Sequence, residues 1–144
     1  MTTYRTATLS DLSLIQGWAA AEGWNPGLVV AEAFFEADPA GFFVAVDQKG
    51  ELIASISVVN HTAKFAFLGL YIVRSEFRGR GIGFGLWRHA TQHAGGRTVG
   101  LDGVEAQQEN YRASGFAYSG ATPRFTGRLA GQLGQNIRPV APLD

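Results

Sequence analysis

The chain has 144 residues, 46% hydrophobic and 17% charged, a globular balance at the usual size of one domain. It contains no Cys, which excludes a disulfide framework and thiolate chemistry and leaves any zinc site to three His and carboxylates. Net charge is zero but unevenly spread: residues 1–50 hold six acids and two bases, residues 51–144 six acids and ten bases, so a cationic ligand suits the first part and an anionic one the second.

No run of about 18 apolar residues is present, so no membrane partner is expected. The start, Met1 to Arg5, lacks a basic segment followed by an apolar one, so no secretory leader is read and the expected location is the cytoplasm. No dense Lys/Arg stripe exists, and nucleic acid is not an expected partner.

Tyr4 to Thr8 alternates polar and apolar and predicts a short strand. Ser10 and Asp11 offer helix caps, and Leu12, Ile15, Trp18 and Ala19 follow at helical spacing, predicting a helix over about 10–22. Gly23-Trp24-Asn25-Pro26-Gly27 is a breaker cluster. A second helix is predicted from about Leu28 to Ala37, ending before Asp38-Pro39. Gly41 to Val46 and Glu51 to Val59 read as a hairpin around the Asp47–Gly50 turn. Phe65 to Val73 is apolar on both faces and predicts a central strand.

Gly81 to Ala94 predicts a helix ended by Gly95-Gly96, followed by a short strand at Thr98–Leu101 and a short helix at Glu105–Ser114. Phe116–Tyr118 and Arg124–Gly127 read as a closing pair of strands, whose exposed edges would let two copies pair as a homodimer. Residues 1–128 form the expected domain, and 129–144, with Gly131, Gly134, Pro139 and Pro142, a tail or linker. The order β-α-α-β-β-β-α-β-α-β-β predicts an α/β fold with a mixed central sheet of six to seven strands and about four helices.

Chemistry concentrates between Leu68 and His89. A buried strand runs into a turn where Gly79, Gly81, Gly83 and Gly85 alternate, and the turn opens a helix. Glycine permits close backbone approach, and a helix N-terminus adds unpaired N–H donors, which together make an anion site. Arg74, Arg78 and Arg80 add positive charge. No Gly-Lys-Ser/Thr follows, so this is not a P-loop, and the run follows a hairpin rather than opening a first βαβ unit, so it is not a dinucleotide fingerprint.

Arg78-Gly79-Arg80-Gly81-Ile82-Gly83 resembles the R/Q-x-x-G-x-G/A signature of the GNAT N-acetyltransferase superfamily, and Tyr71 to Phe77 resembles the strand and loop that precede it. The element order is similar from about Tyr4 to Gly127. The resemblance implies the GNAT fold, acetyl-CoA as acyl donor and a primary amine as acceptor. It implies that the amides of Arg78, Gly79, Arg80, Gly81, Ile82, Gly83 and Phe84 hold the pyrophosphate, and that Tyr71, Ile72 and Val73 pair with the pantetheine arm. A strand bulge would place an amide near Leu70 or Tyr71 to polarise the thioester carbonyl.

Asn110-Tyr111-Arg112-Ala113-Ser114-Gly115-Phe116 resembles the family's L-Y-x-x-x-G-F helix end, which implies that Tyr111 protonates the leaving thiolate. Two departures stand out. Val104 occupies the place where many relatives have an Asn, and Lys64 to Val73 contains no acid to serve as general base. A water chain, Glu105 or His61 remain open for that role, and a CoA-binding sensor of the same fold is the alternative to an enzyme.

For the acceptor, a small molecule or peptide amine, Trp24 and Asn25 are the expected contacts, with Trp18, Pro26, Glu22, Glu32 and Glu36 nearby as aromatic and acidic groups suited to a cation. The Glu22 to Gly27 segment is also similar to a subgroup in which such a domain precedes a second acetyltransferase-like one. His89 and His93 lie four apart on a predicted helix without a third ligand, and no metal is expected.

Overall fold

A computed structural model describes residues 2–24, 27, 29–123, 125 and 127. Five strands form one sheet in chain order: β1 (Thr3–Thr6), β2 (Phe42–Val46), β3 (Leu52–Asn60), β4 (Phe65–Val73) and β5 (Thr98–Leu101). The first four pair antiparallel and β5 lies parallel to β4. Four helices accompany them: α1 (Leu9–Ala21), α2 (Val30–Ala37), α3 (Ile82–Thr91) and α4 (Gln108–Ala113).

Each face of the sheet has its own core. Leu12 and Ile15 of α1 pack with Phe42, Val44 and Val59 on one face, joined by Phe34 and Phe35 of α2. On the other, Leu86 and Ala90 of α3 pack with Phe43, Ala45, Ile56, Val58 and Leu68. Alternating side chains of a central strand must serve both cores, which is why β2 reads as an unbroken apolar run and β3 is apolar on both faces apart from the small buried Ser55 and Ser57.

One residue breaks that alternation. Between the pairs Ser57↔Gly69 and Ser55↔Ile72, two residues of β4, Leu70 and Tyr71, stand opposite one residue of β3, Ile56. Leu70 takes φ +48°, the sole positive φ outside glycine among the described residues. This is a β-bulge. Ala66 and Leu68 face α3, Leu70 is turned to the opposite core, and Tyr71 and Val73 regain the α3 side. The Ser55 hydroxyl donates to the Leu70 carbonyl at 2.8 Å, so the buried serine pins the kink.

Several expectations are corrected. The sheet has five strands among the described residues, not six or seven. Residues 116–118 are not strand: the Phe116 ring packs 5.8 Å from Trp87 and 6.3 Å from Tyr111, filling a gap beside α4 instead of joining the sheet. Arg124 and Thr126, like the whole 129–144 segment, lie outside the described residues, so the edge proposed for a homodimer has no support here. The first helix starts at Leu9 with Thr8 as cap residue, because Asp11 accepts the Thr8 N–H at 2.8 Å and is thus inside the first turn rather than before it. The third helix ends at Thr91 and tightens into a 3-10 turn over Gln92–Ala94, and the 105–114 helix likewise opens with a 3-10 turn at Glu105–Gln107.

Candidate functional site

The pairing of β4 with β5 runs from Phe65↔Thr98 to Leu68↔Leu101 and stops there. Beyond it the bulge redirects β4, and the two strands part. A cleft of about 890 Å³ occupies the gap. Its floor is β4 from Phe67 to Val73, and its far wall is Leu101, Asp102, Val104, Gln107, Asn110 and Tyr111. Arg78 and Phe84 line one end, with Glu22 and Trp24 also on the rim.

The glycines of the turn divide into two kinds. Gly79 and Gly81 have φ +73° and +75°, and a Cβ at either would meet nothing within 4 Å. Their glycine is required by backbone conformation, and their faces are open. Gly83 and Gly85 are required by packing: a Cβ on Gly83 would come 2.8 Å from Tyr71 Oη, and one on Gly85 would overlap Tyr4 Oη. These two let α3 lie close on the sheet. The first-turn amides of α3, including Ile82, Gly83 and Phe84, still have no acceptor within the helix. An open, positive-φ loop leading into unpaired amides fits a phosphate, and the partly unpaired edge of β4 fits an extended arm.

The arginines also divide. Arg74 bonds Glu76 at 2.6 Å and the Leu52 carbonyl at 3.2 Å. Arg78 donates from Nε to the Val73 carbonyl at 2.8 Å and forms an ion pair with Glu22 at the end of α1. Arg80 enters no ion pair among the described residues and lies 5.5 Å over the Phe77 ring.

Tyr111 is half-buried on the wall facing β4. Its ring lies 6.0 Å from Trp87, which in turn lies 5.4 Å from Tyr71. The other side of the ring rests on Gly103, where a Cβ would come within 2.7 Å of it. Burial raises the Tyr111 phenol above its ordinary value of 10, and pushes Tyr71 up to about 12 with help from Tyr111 and Tyr4. Both stay protonated through neutral pH, as a proton donor requires.

Other sequence candidates fall elsewhere. Trp24 lines the cleft, whereas Asn25 and Pro26 lie outside the described residues. Trp18 is half-buried on α1 and does not line the cleft. Glu32 sits on the exposed face of α2, where it accepts from Gln16, and Glu36 is exposed there too, so of the three glutamates only Glu22 reaches the site. His61 packs edge-on against Phe34 at 5.4 Å and over Phe65 at 6.4 Å, away from the cleft. Glu105 is exposed on its 3-10 turn and is not part of the wall. His89 stacks on Tyr4 and His93 bonds Asp38 at 2.7 Å, so the two histidines serve packing, and no group of metal ligands exists among the described residues. Asp102, which no motif marks, does line the cleft.

A split parallel pair, a glycine-loop helix start and a tyrosine on the opposite wall define the architecture of the acyl-CoA-dependent acyltransferases. The chain matches the Acetyltransferase (GNAT) family over residues 9–118, and it belongs to that family. It is 40% identical over 125 residues to a holothin acyltransferase of Pseudoalteromonas sp. (strain SANK 73390), covering 87% of this chain and 42% of that protein. The chain thus spans well under half the length of this curated relative. Its fold is similar to that of Ard1 from Thermoplasma volcanium, with TM-score 0.70, 20% identity, and 83% of this chain and 84% of the other covered. A predicted acetyltransferase from Clostridium acetobutylicum, solved with acetyl-CoA, superposes with TM-score 0.66 at 19% identity over 88% of this chain and 96% of its own. No helix among the described residues is long and apolar enough to cross a membrane.

Proposed function

We propose that the chain transfers an acetyl group from acetyl-CoA to a primary amine of a small molecule or peptide, by direct attack with donor and acceptor bound together. The observation that carries this reading is the cleft running from Arg78 and Phe84, which flank the open glycine turn, along the free edge of β4 to the wall that holds Tyr111. When bound, acetyl-CoA supplies an acyl group already activated as a thioester.

The chain's own groups supply the rest. Amides from Arg78 to Phe84 hold the diphosphate, and the main chain of Tyr71, Ile72 and Val73 orients the arm. The bulge sets Leu70 and Tyr71 out of the regular register, making their amides the donors available to polarise a carbonyl. Tyr111 Oη holds a proton for the departing sulfur. With no Cys in the chain, no thiolate is available for an acyl-enzyme. The holothin acyltransferase relative supports a small-molecule acceptor, and holothin itself belongs in the acceptor panel. Trp24 on the rim is the aromatic contact for it.

Calorimetric titration of acetyl-CoA tests the reading. The wild type should bind in the micromolar range. Gly81→Glu should abolish binding by charge and bulk, while Gly81→Ala, which carries only the backbone strain of about 1–2 kcal/mol, should retain most of it. A wild type that binds no acetyl-CoA would overturn the proposal. Turnover of acetyl-CoA with holothin, benzylamine or spermidine then separates an enzyme from a CoA-binding sensor. Replacing Tyr111 by Phe should cost an enzyme about 10²- to 10⁴-fold in kcat while sparing donor affinity.

A further inference from the structure

Acyl transfer to an amine has two proton problems, and Tyr111 addresses only one. As the nitrogen lone pair forms the C–N bond and the C–S bond breaks, the sulfur must gain a proton and the nitrogen must lose one. β4, the floor of the cleft, carries no acid or imidazole from Phe65 to Val73. Among the described residues, two carboxylates line the cleft, Glu22 and Asp102. Glu22 is held in an ion pair by Arg78, at the loop end. Asp102 enters no ion pair among the described residues.

Its place in the fold is the second observation. Asp102 directly follows Leu101, the last residue of β5 paired with β4. It therefore stands where the two strands begin to part, level with the approach to the bulge at Leu70. The next residue, Gly103, presses against the Tyr111 ring. The turn after β5 thus brings a proton donor and a proton acceptor to one wall of one cleft.

We infer that Asp102 is the general base of the reaction, an inference that rests on the acyltransferase reading above. Its carboxylate accepts the proton of the attacking nitrogen as the C–N bond forms, when that proton becomes strongly acidic. Tyr111 gives its proton to the leaving sulfur, so donor and acceptor protons balance across the wall.

Asp102→Asn and Asp102→Glu, assayed with acetyl-CoA and whichever of holothin, benzylamine and spermidine the wild type turns over best, test the assignment. Asp102→Asn should lower kcat by about 10²-fold or more, with the calorimetric acetyl-CoA affinity and the melting temperature unchanged. Asp102→Glu should recover part of the rate, and added formate should partly rescue Asp102→Ala. An Asp102→Asn enzyme within threefold of wild-type kcat would overturn Asp102 as base while leaving the acyltransferase reading intact. A wild type that binds acetyl-CoA yet acetylates none of these amines would overturn both.

Discussion

Replacing Gly103 by Ala should displace the Tyr111 ring while leaving its chemistry untouched. The added Cβ would come 2.7 Å from Cε2 and 2.8 Å from Cδ2 of the ring, and 3.2 Å from Leu101 Cδ1. Ordinary contact begins near 3.4 Å, so the ring must retreat by roughly 0.7 Å. Trp87 and Phe116 stand at 6.0 and 6.3 Å between ring centroids and block some directions of retreat, so the hydroxyl shifts along with the ring. A 1 Å misplacement at a reacting centre costs on the order of 10²-fold, so kcat should fall about 10- to 100-fold. Acetyl-CoA affinity should stay within threefold, because the atoms nearest the added Cβ belong to Tyr111 and Leu101 and none to the glycine loop. The overpacking should cost about 1 kcal/mol, a drop of roughly 3–4 °C in Tm. Steady-state kinetics, calorimetry and thermal melting read these separately. In a Tyr111→Phe background the same substitution should cost little more, since the group it displaces is already gone. A Gly103→Ala enzyme with kcat within twofold of wild type would refute the placement of Tyr111 as proton donor.

Glu22→Gln should free Arg78 and remove a negative charge beside the phosphate site, tightening acetyl-CoA binding a few-fold at low salt and less at high salt; Tm should barely move, because an exposed pair is worth about 0–1 kcal/mol. Asp38→Ala should be strongly destabilising: it strands the Asn60 backbone N–H, now 2.8 Å from the carboxylate, and the His93 ring, costing about 2–4 kcal/mol and visible as a large fall in Tm. Burial pulls the Asp11 carboxyl upward, but its bonds to Arg5 and to Thr8 outweigh this and leave it below its ordinary 3.8. A depressed carboxyl stabilises the fold above its unfolded value and loses that contribution as pH falls through the folded one, so Asp11→Asn should lower Tm at pH 7 and make little difference at about pH 2–3. Because burial raises the Tyr111 phenol, any loss of kcat from its ionisation should set in at higher pH than for a freely exposed phenol.

The fold was legible from β1 to α3 because each element there has a period or a break that sequence reports directly. The apolar run from Phe65 to Val73 reads directly as a central strand, and Gly79 and Gly81 after it as a turn. What sequence did not separate was glycine needed for φ from glycine needed for space, since Gly81 and Gly83 look alike until Tyr71 is seen against one of them. Long-range pairs were likewise hidden: Arg78 and Glu22 are 56 positions apart, and nothing local announces their ion pair. Phe116 misled because three residues cannot distinguish a strand from an aromatic plug. Asp102 was silent for a simpler reason. It is a single acid in a coil after a four-residue strand, and its meaning comes from where β4 and β5 stop pairing.

The positive φ of Leu70 has an evolutionary consequence. The bulge makes one side of the cleft from main chain, since the edge it exposes presents peptide groups whatever side chains β4 bears. Most side-chain changes along that edge are therefore invisible to a donor held by its backbone. The opposite wall is built from side chains on a short strand, a turn and a six-residue helix, where each replacement is felt at once. Substitution can therefore alter the wall that carries Asp102 and Tyr111 while the main-chain edge opposite stays the same, and one kinked leucine draws the border between them.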